Sequence, residues 1–371
     1  MELPTLKGKL IISGNIITET GLHIGGISET LKIGGVDIQV IKDSLGRAYI
    51  PGSSLKGKIR SLLEIIEGNY TINIQLKKDI NKNTNVEITI NNGKIEKKNN
   101  EIKRKVVITS KFNSKDKKDY SLNVIKNEEM NKLKNIFKKY GFNENTEESK
   151  EDPNKVIFER EWNENIIKDL EELIDKLKEN KFNVEKKSAM PCSCGFCEIC
   201  KLFGPHNSKN ILYPRRVIVR DAFLINEKTN EPLTKKDEDY DDYFEVKPEN
   251  VIDRIKGTAQ HPRQIERVRK GSKFSFEVIF NLYDKNDVDL IKKFIEGLKL
   301  LEDDYIGGCG SRGYGKIKFD KMNVIYKPIK YYEGKLSQEE INKDYKRKDI
   351  ETLNNLKNKI EELLKIEPKQ G

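Results

Sequence analysis

The segments able to build a core lie at the two ends of this chain. Glycine-punctuated strands and helices with regular apolar spacing fall before residue 68 and after residue 211. From about Asn69 to Lys187, lysine and asparagine dominate and strand signals are short, as at Val106-Val107-Ile108. A single core must therefore join sequence-distant halves across a large insertion. Hydrophobic residues are 36% of the chain and charged ones 35%, too few apolar groups to fill every segment equally. The insertion is expected to be partly ordered, its scattered Ile, Phe and Leu making a small satellite core and Ile166 to Leu177 an amphipathic helix.

Lys9 to Ile17 reads as a strand, closed by Gly21-Leu22-His23-Ile24-Gly25-Gly26. A second glycine turn, Gly34-Gly35, leads into Val36 to Val40. Pro51 forces Ile50 to be extended, and a helix starts behind it with Ser53 or Ser54 expected to supply the capping oxygen. Leu55, Ile59, Leu62, Leu63 and Ile66 repeat at helical spacing, and Gly68 stops the helix. Beyond Ile211, Arg216 to Leu224 and Ser272 to Leu282 alternate like strands, Val288 to Leu301 is helical, and Gly307 to Tyr326 is a glycine loop feeding a strand. The order strand, helix, strand, strand, helix, strand is that of an α+β, ferredoxin-like or RRM core. Ser337 to Ile366 is a charged helical tail with Leu353, Leu356, Ile360 and Leu363-Leu364 on one face, free to dock on the core or on a partner.

The formal net charge of +10 favours an anionic partner, of which nucleic acid is the commonest; a Lys/Glu-rich surface of a heat-adapted protein is the alternative. The start lacks a basic region followed by an apolar run, and no apolar stretch is long enough to span a membrane, so a cytoplasmic location is expected.

Four of the five cysteines form Cys192-x-Cys194-x-x-Cys197-x-x-Cys200. Thiolates this dense need a shared thiophilic cation, with structural zinc first and an iron–sulfur group second. Cys192 and Cys194 strain a single tetrahedral site, which makes His206 a substitute ligand. Ser53, Ser54, Lys56, Lys58 and Arg60 surround a helix N-terminus, where free N–H groups favour anions, and Gly57 leaves its backbone open to a close ligand. Gly307 to Lys316 holds five glycines, with Gly310 in the turn, Arg312 able to pair with phosphate and Tyr314 able to stack on a base. Asp37 adjoins a glycine turn: a turn cap, or a carboxylate serving a metal or a proton transfer. His23 is a lone histidine in a glycine turn, and Arg263, Arg267, Arg269 and Lys270 form a basic cluster, either a hairpin on RNA or a solvated loop.

Together these stretches resemble the RAMP proteins of CRISPR effector complexes, and within them the repeated backbone subunit of type III-A (Csm) complexes. The resemblance rests on Gly21 to Gly26, Ile33 to Asp37, Tyr49 to Arg60, Cys197 to Gly204, Val219 to Ala222, Glu249 to Arg254, Pro262 to Val268 and the final glycine loop, in family order over about half the chain. With the thumb that it implies at about 240–270, the core is expected over residues 1–68 and 205–330; residues 69–204 are read as an insertion or lid carrying the cysteine cluster at 192–200, and 331–371 as a C-terminal helical extension, both outside what the resemblance covers apart from Cys197 to Gly204. It implies a guide (CRISPR) RNA held by the Ser53-to-Arg60 helix, the glycine loop and His23, and a thumb around Arg254, Arg263 and Arg267. It also implies further copies of the chain and other Csm subunits as partners, and complementary target RNA cut at Asp37 with Mg2+ or Mn2+. Ile38-Gln39 departs from the family's usual small or polar residue followed by proline, and the insertion is longer than the family norm. A non-catalytic scaffold of the same fold and a guide-processing endoribonuclease are the competing functions.

Overall fold

The computed structural model describes residues 4–25, 38–68, 71–81, 84–98, 101–114, 120–145, 155–161, 166–192, 195, 197–206 and 213–364. Two compact units emerge, Met1–Leu63 with Pro214–Gly371, and Glu64–Tyr213.

In the first unit, β1 (Gly8–Thr18), α1 (Gly52–Glu67), β2 (Val217–Val219), β3 (Lys273–Leu282), α2 (Asp287–Asp303), β4 (Ile317–Pro328), β5 (Lys346–Ile350) and α3 (Leu353–Leu364) follow in chain order. The sheet runs β5-β4-β1-β3-β2, every neighbouring pair antiparallel. Without β5 this is the ferredoxin-like order that the sequence implies. Period-2 alternation sends Leu10, Ile12 and Ile16 of β1, and Phe274, Phe276, Val278 and Phe280 of β3, into one core. Leu290, Ile291, Phe294, Leu298 and Leu301 of α2 cover that face, with Phe280 and Phe294 edge to face at 5.2 Å. Gly297 lets α1 approach: a Cβ there would lie 2.6 Å from Ile59 Cγ2, so any side chain would force the helices apart.

The start of α2 is fixed by a buried ion pair. Arg216 Nε donates to Asp287 Oδ1 at 2.9 Å, while Asp287 Oδ2 accepts from the Tyr283 and Asp284 N–H groups. Removing either partner would strand a buried charge, typically a cost of about 3–5 kcal/mol. The C-terminal tail docks on its own core: Leu353, Leu356, Ile360 and Leu363 are buried, and α3 packs on α2, β4 and β5. A separate hairpin pairs Phe244–Ile252 with Ala259–Val268 and leaves Val251, Ile252 and Ile255 exposed at its far end.

The second unit is a six-stranded antiparallel sheet, ordered Asn143–Glu144, Lys155–Glu161, Glu101–Ser114, Thr84–Lys98, Thr71–Asn81, Asn183–Met190. Helices Tyr120–Lys139 and Ile166–Glu179 supply Leu133, Phe137, Leu170, Leu173 and Leu177 to a core with Ile74, Leu76, Val86, Ile88, Ile90, Val106, Ile108 and Phe158. The satellite core expected of this region is here a sheet packed against two helices. The few apolar residues fall in strict strand and helix registers, so one face of the sheet is mostly apolar, with Ser110 a buried exception, although lysine and asparagine dominate the composition. No helix among the described residues is long and apolar enough to cross a membrane.

Candidate nucleic-acid interface and thiolate cluster

The first turn of α1 is not capped by its own serines. The Gly52 N–H donates to Asp221 Oδ1 at 2.7 Å, and the Pro51 carbonyl accepts from the Ser54 and Leu55 N–H groups. A sequence-distant carboxylate does what Ser53 or Ser54 was expected to do, because the helix begins at Gly52 and both serines lie inside its first turn. A Cβ on Gly52 would meet the Val219 carbonyl at 2.4 Å. Among the described residues neither serine hydroxyl has a hydrogen-bond partner, and Ser53 is exposed.

Helical spacing separates the lysines of α1. Burial, then the charges of Arg215 and Arg60, hold the Lys56 ammonium below its ordinary value, so the three cations share one region. Lys58 turns the other way, pairing with Asp304 at 2.9 Å and lying 3.9 Å above the Tyr305 ring. Between them Gly57 is exposed, with no atom within 4 Å of where its Cβ would be.

The glycine loop folds over the segment around His23. Gly307, Gly313 and Gly315 have φ of 82°, 84° and 74°, and Cys309 shares this left-handed region at 63°. The Gly308 N–H donates to the His23 carbonyl at 2.9 Å and the Gly315 N–H to the Gly21 carbonyl at 3.1 Å. Gly310 lies against the Tyr305 ring, which a Cβ would strike at 2.0 Å. His23 is 5% exposed, its Nδ1 2.6 Å from the Glu266 carbonyl oxygen. Glu266 in turn accepts from the Val40 N–H at 2.8 Å and pairs with Lys42 at 2.9 Å. Its position makes His23 a strut between the glycine loop and the hairpin.

Tyr314 corrects an expectation. It is 1% exposed, its hydroxyl donates to Glu249 at 3.0 Å, and Lys247 and Arg267 lie 4.4 and 5.0 Å from its ring centre. A ring capped this way offers no face to a base. Glu249 also holds Arg263 at 3.3 Å and Arg312 at 3.4 Å, and Arg267 pairs with Glu245 at 2.6 Å. The Arg312 guanidinium contacts Cys309 Sγ. Arg254 stands exposed in the turn of the hairpin. Asp37 lies outside the described residues. Its neighbour Ile38 is tied to the hairpin, its N–H donating to the Gln264 carbonyl at 3.3 Å and its carbonyl accepting from the Glu266 N–H at 2.9 Å.

In the second unit, the sulfurs of Cys192, Cys197 and Cys200 lie within 4.8 Å of one another. Cys192 and Cys197 are 3.8 Å apart, sulfur to sulfur. The Cys192 N–H donates to buried Glu64 at 2.9 Å, and the His206 N–H to the Cys192 carbonyl at 3.1 Å. Cys194 lies outside the described residues. Three convergent thiols of this kind can hold a thiophilic metal ion. Asp221, Glu249 and Glu266 lie in stretches that carry the resemblance but were assigned no role there, and Arg215 carried no sequence signal, since a single charge in a chain this charged is unmarked.

An antiparallel β-sheet in ferredoxin-like order, with a cation-lined helix start and a glycine loop locked to a hairpin, defines an α+β protein of the RRM-related class. The chain belongs to the RAMP superfamily, which it matches over residues 15–182 and 158–318. It is 40% identical over 367 residues to the CRISPR system Cms endoribonuclease Csm3 of Methanocaldococcus jannaschii, covering 98% of this chain and 97% of that one. The protein of the same name from Methanothermobacter thermautotrophicus is 29% identical over 341 residues, covering 88% and 90%. Among solved structures, a Csm3–Csm4 subcomplex of the type III-A CRISPR-Cas interference complex is 32% identical over 98% of this chain and 99% of that chain, with a TM-score of 0.46.

Proposed function

We propose that this protein is the guide-RNA-binding backbone subunit of a type III-A CRISPR interference complex, polymerising along the guide and cleaving complementary target RNA. The observation that carries the reading is 40% identity, sustained over 98% of the chain, to a protein named as a Csm3 endoribonuclease. The ferredoxin-like core and the cluster of Lys56, Arg60 and Arg215 at the start of α1 support it on physical grounds, because such a helix end attracts phosphate. Ser53, Ser54, Lys56, Arg60, Gly310 and Arg312 are the proposed guide contacts of the core. The hairpin serves as thumb, with Arg254 and Arg263 facing RNA; residues 69–204 serve as lid. Further copies of the chain and other Csm subunits are its partners.

Asp37 is the proposed catalytic carboxylate. RNA carries a nucleophile of its own in the 2′-hydroxyl beside the scissile phosphate; with that nucleophile the protein has only to align it, accept or relay its proton and help neutralise charge. A carboxylate at Asp37 would hold Mg2+ or Mn2+, which supplies Lewis-acid stabilisation of the phosphate. Cys192, Cys197 and Cys200 are proposed to hold structural zinc, with Cys194 or His206 completing the set.

Reconstituting the protein on a guide RNA and adding complementary target, with and without magnesium, tests this reading. Regularly spaced target fragments that need magnesium are expected. Intact target on a fully assembled complex would leave the non-catalytic scaffold as the function.

A further inference from the structure

We infer that Glu266 is a positioning residue for target cleavage: it fastens the segment that follows Asp37 to the hairpin, so the element that faces RNA also fixes where the cutting carboxylate is held. The inference rests on the assignment of Asp37 above.

Residues 38–42 run between two partners. On one side, Ile38 forms a parallel bridge to Ile265 of the hairpin: the Ile38 N–H donates to the Gln264 carbonyl and the Glu266 N–H to the Ile38 carbonyl. On the other, Val40 bridges Gly25, and the Ile41 N–H donates to the Ile24 carbonyl at 2.8 Å. Ile24, Val40 and Ile265 are buried in this junction. A continued parallel ladder would bring the Val40 N–H to the Glu266 carbonyl. His23 Nδ1 occupies that carbonyl at 2.6 Å, and the Glu266 carboxylate takes the Val40 N–H instead, Oε2 accepting at 2.8 Å. Its other oxygen, Oε1, pairs with Lys42 at 2.9 Å, and the Lys42 ammonium lies 4.3 Å from the centre of the Phe244 ring at the base of the hairpin. One residue thus ties His23, Val40 and Lys42 to the hairpin strand.

The Glu266 side chain is 14% exposed and both its oxygens are engaged, so it acts through the segment it holds and not on the reacting atoms. Asp37 is the residue bonded to Ile38, and successive Cα atoms are about 3.8 Å apart. A shift of the 38–42 segment is therefore passed to Asp37. Misplacing a catalytic group by about 1 Å costs on the order of a hundredfold in rate, while binding made elsewhere on the surface is untouched. Loss of the Glu266 acceptor would leave the Val40 N–H, in a buried junction, without its partner, and the segment would move to satisfy it.

The test is single-turnover cleavage of complementary target by saturating assembled complex, with guide and target affinities measured alongside. Glu266→Met keeps the length of the side chain and removes the acceptor. It should cut roughly ten- to a hundredfold more slowly at near-wild-type affinities. Glu266→Gln should recover most of the rate, because its amide oxygen still accepts from the Val40 N–H; the loss of the charge that Lys42 pairs with is common to both variants. Glu333→Ala, which removes a surface carboxylate paired with Lys335, should cut like wild type. Hydrogen exchange on the free protein gives a second reading: the peptide spanning Val40 should exchange faster in Glu266→Met than in Glu266→Gln. Equal exchange in the two variants, or equal slowing of cleavage in both, overturns the inference alone. So does wild-type cutting by Glu266→Met while Asp37→Ala is inactive, or a loss of affinity that accounts for the slower cutting. Wild-type cutting by Asp37→Ala overturns the Asp37 assignment, and this inference with it.

Discussion

The Tyr314 hydroxyl donates to Glu249 Oε1 at 3.0 Å, locking the glycine loop to the hairpin. Burial alone would push the Glu249 carboxyl up. The Tyr314 hydrogen bond and the Arg312 and Arg263 guanidiniums outweigh it and hold the group below the usual carboxylate range. Tyr314 itself is pushed up to about 12, by burial and then by the Glu249 bond, so it stays a donor at working pH. A carboxylate with a depressed folded pKa stabilises fully above its unfolded value, and that stability is lost as pH falls through the folded one. Glu249→Gln should therefore melt below wild type at pH 7, with the gap closing as the pH falls through the depressed folded-state range of the Glu249 carboxyl. A gap of constant size across a pH series of melting curves would refute the latch.

Asp221 should prove to be a helix cap. Losing the acceptor for the Gly52 N–H should cost about 1 kcal/mol in Asp221→Ala, within the usual range of about 0.5–2 kcal/mol for N-caps. Asp221→Asn should recover most of it, because an amide oxygen still accepts. Urea denaturation at neutral pH reads both variants; equal midpoints for Asp221→Ala and wild type would remove the cap assignment.

What was legible in the sequence was whatever depends on local period. Phe274, Phe276, Val278 and Phe280 alternate, and they line the core as expected. The helix over Val288 to Leu301 has its apolar stripe on the sheet. The acceptors that position the site were not legible, because they come from far along the chain. Asp221 reaches Gly52 across 169 residues and Glu266 reaches Val40 across 226. Tyr314 misled for the same reason. A tyrosine among glycines and cations reads as a stacking platform, but the packing of Arg267 and Lys247 over its ring exists only in three dimensions.

The thiolate cluster should carry about one zinc per chain in freshly purified, unchelated protein. Cys200→Ser should lower the bound metal and the melting temperature together, since ligands that converge only in the fold couple binding to folding. Cys309→Ser should leave the metal in place, because Cys309 sits in the glycine loop beside Arg312 and outside the three-sulfur set. Elemental analysis decides: no metal in the wild type, or an equal loss in Cys309→Ser, contradicts the assignment.

Asp37→Ala should abolish target cutting in the assembled complex while guide and target binding stay near wild type. A carboxylate beside a phosphate-binding surface repels RNA, so its removal does not weaken binding. Transfer of the 2′-hydroxyl proton, or retention of a divalent ion at the scissile phosphate, does require such a group. Losing a general base typically slows the step by roughly a hundred- to ten-thousand-fold. A rate collapse at unchanged affinity marks an interaction made mainly in the transition state. Asp221 and Asp253 are unsuited as comparisons. Asp221 caps α1, and Asp253 accepts the Lys256 and Ile255 N–H groups at 2.8 Å in the hairpin turn, which holds its carboxyl below the usual carboxylate range. Asp289, a surface partner of Lys292 at 3.1 Å, removes the same charge without touching loop or cap. Single-turnover cleavage with saturating assembled complex separates the outcomes. If Asp37→Ala cuts at the rate of Asp289→Ala, or fails only because the complex falls apart, Asp37 is a turn residue and the protein a scaffold.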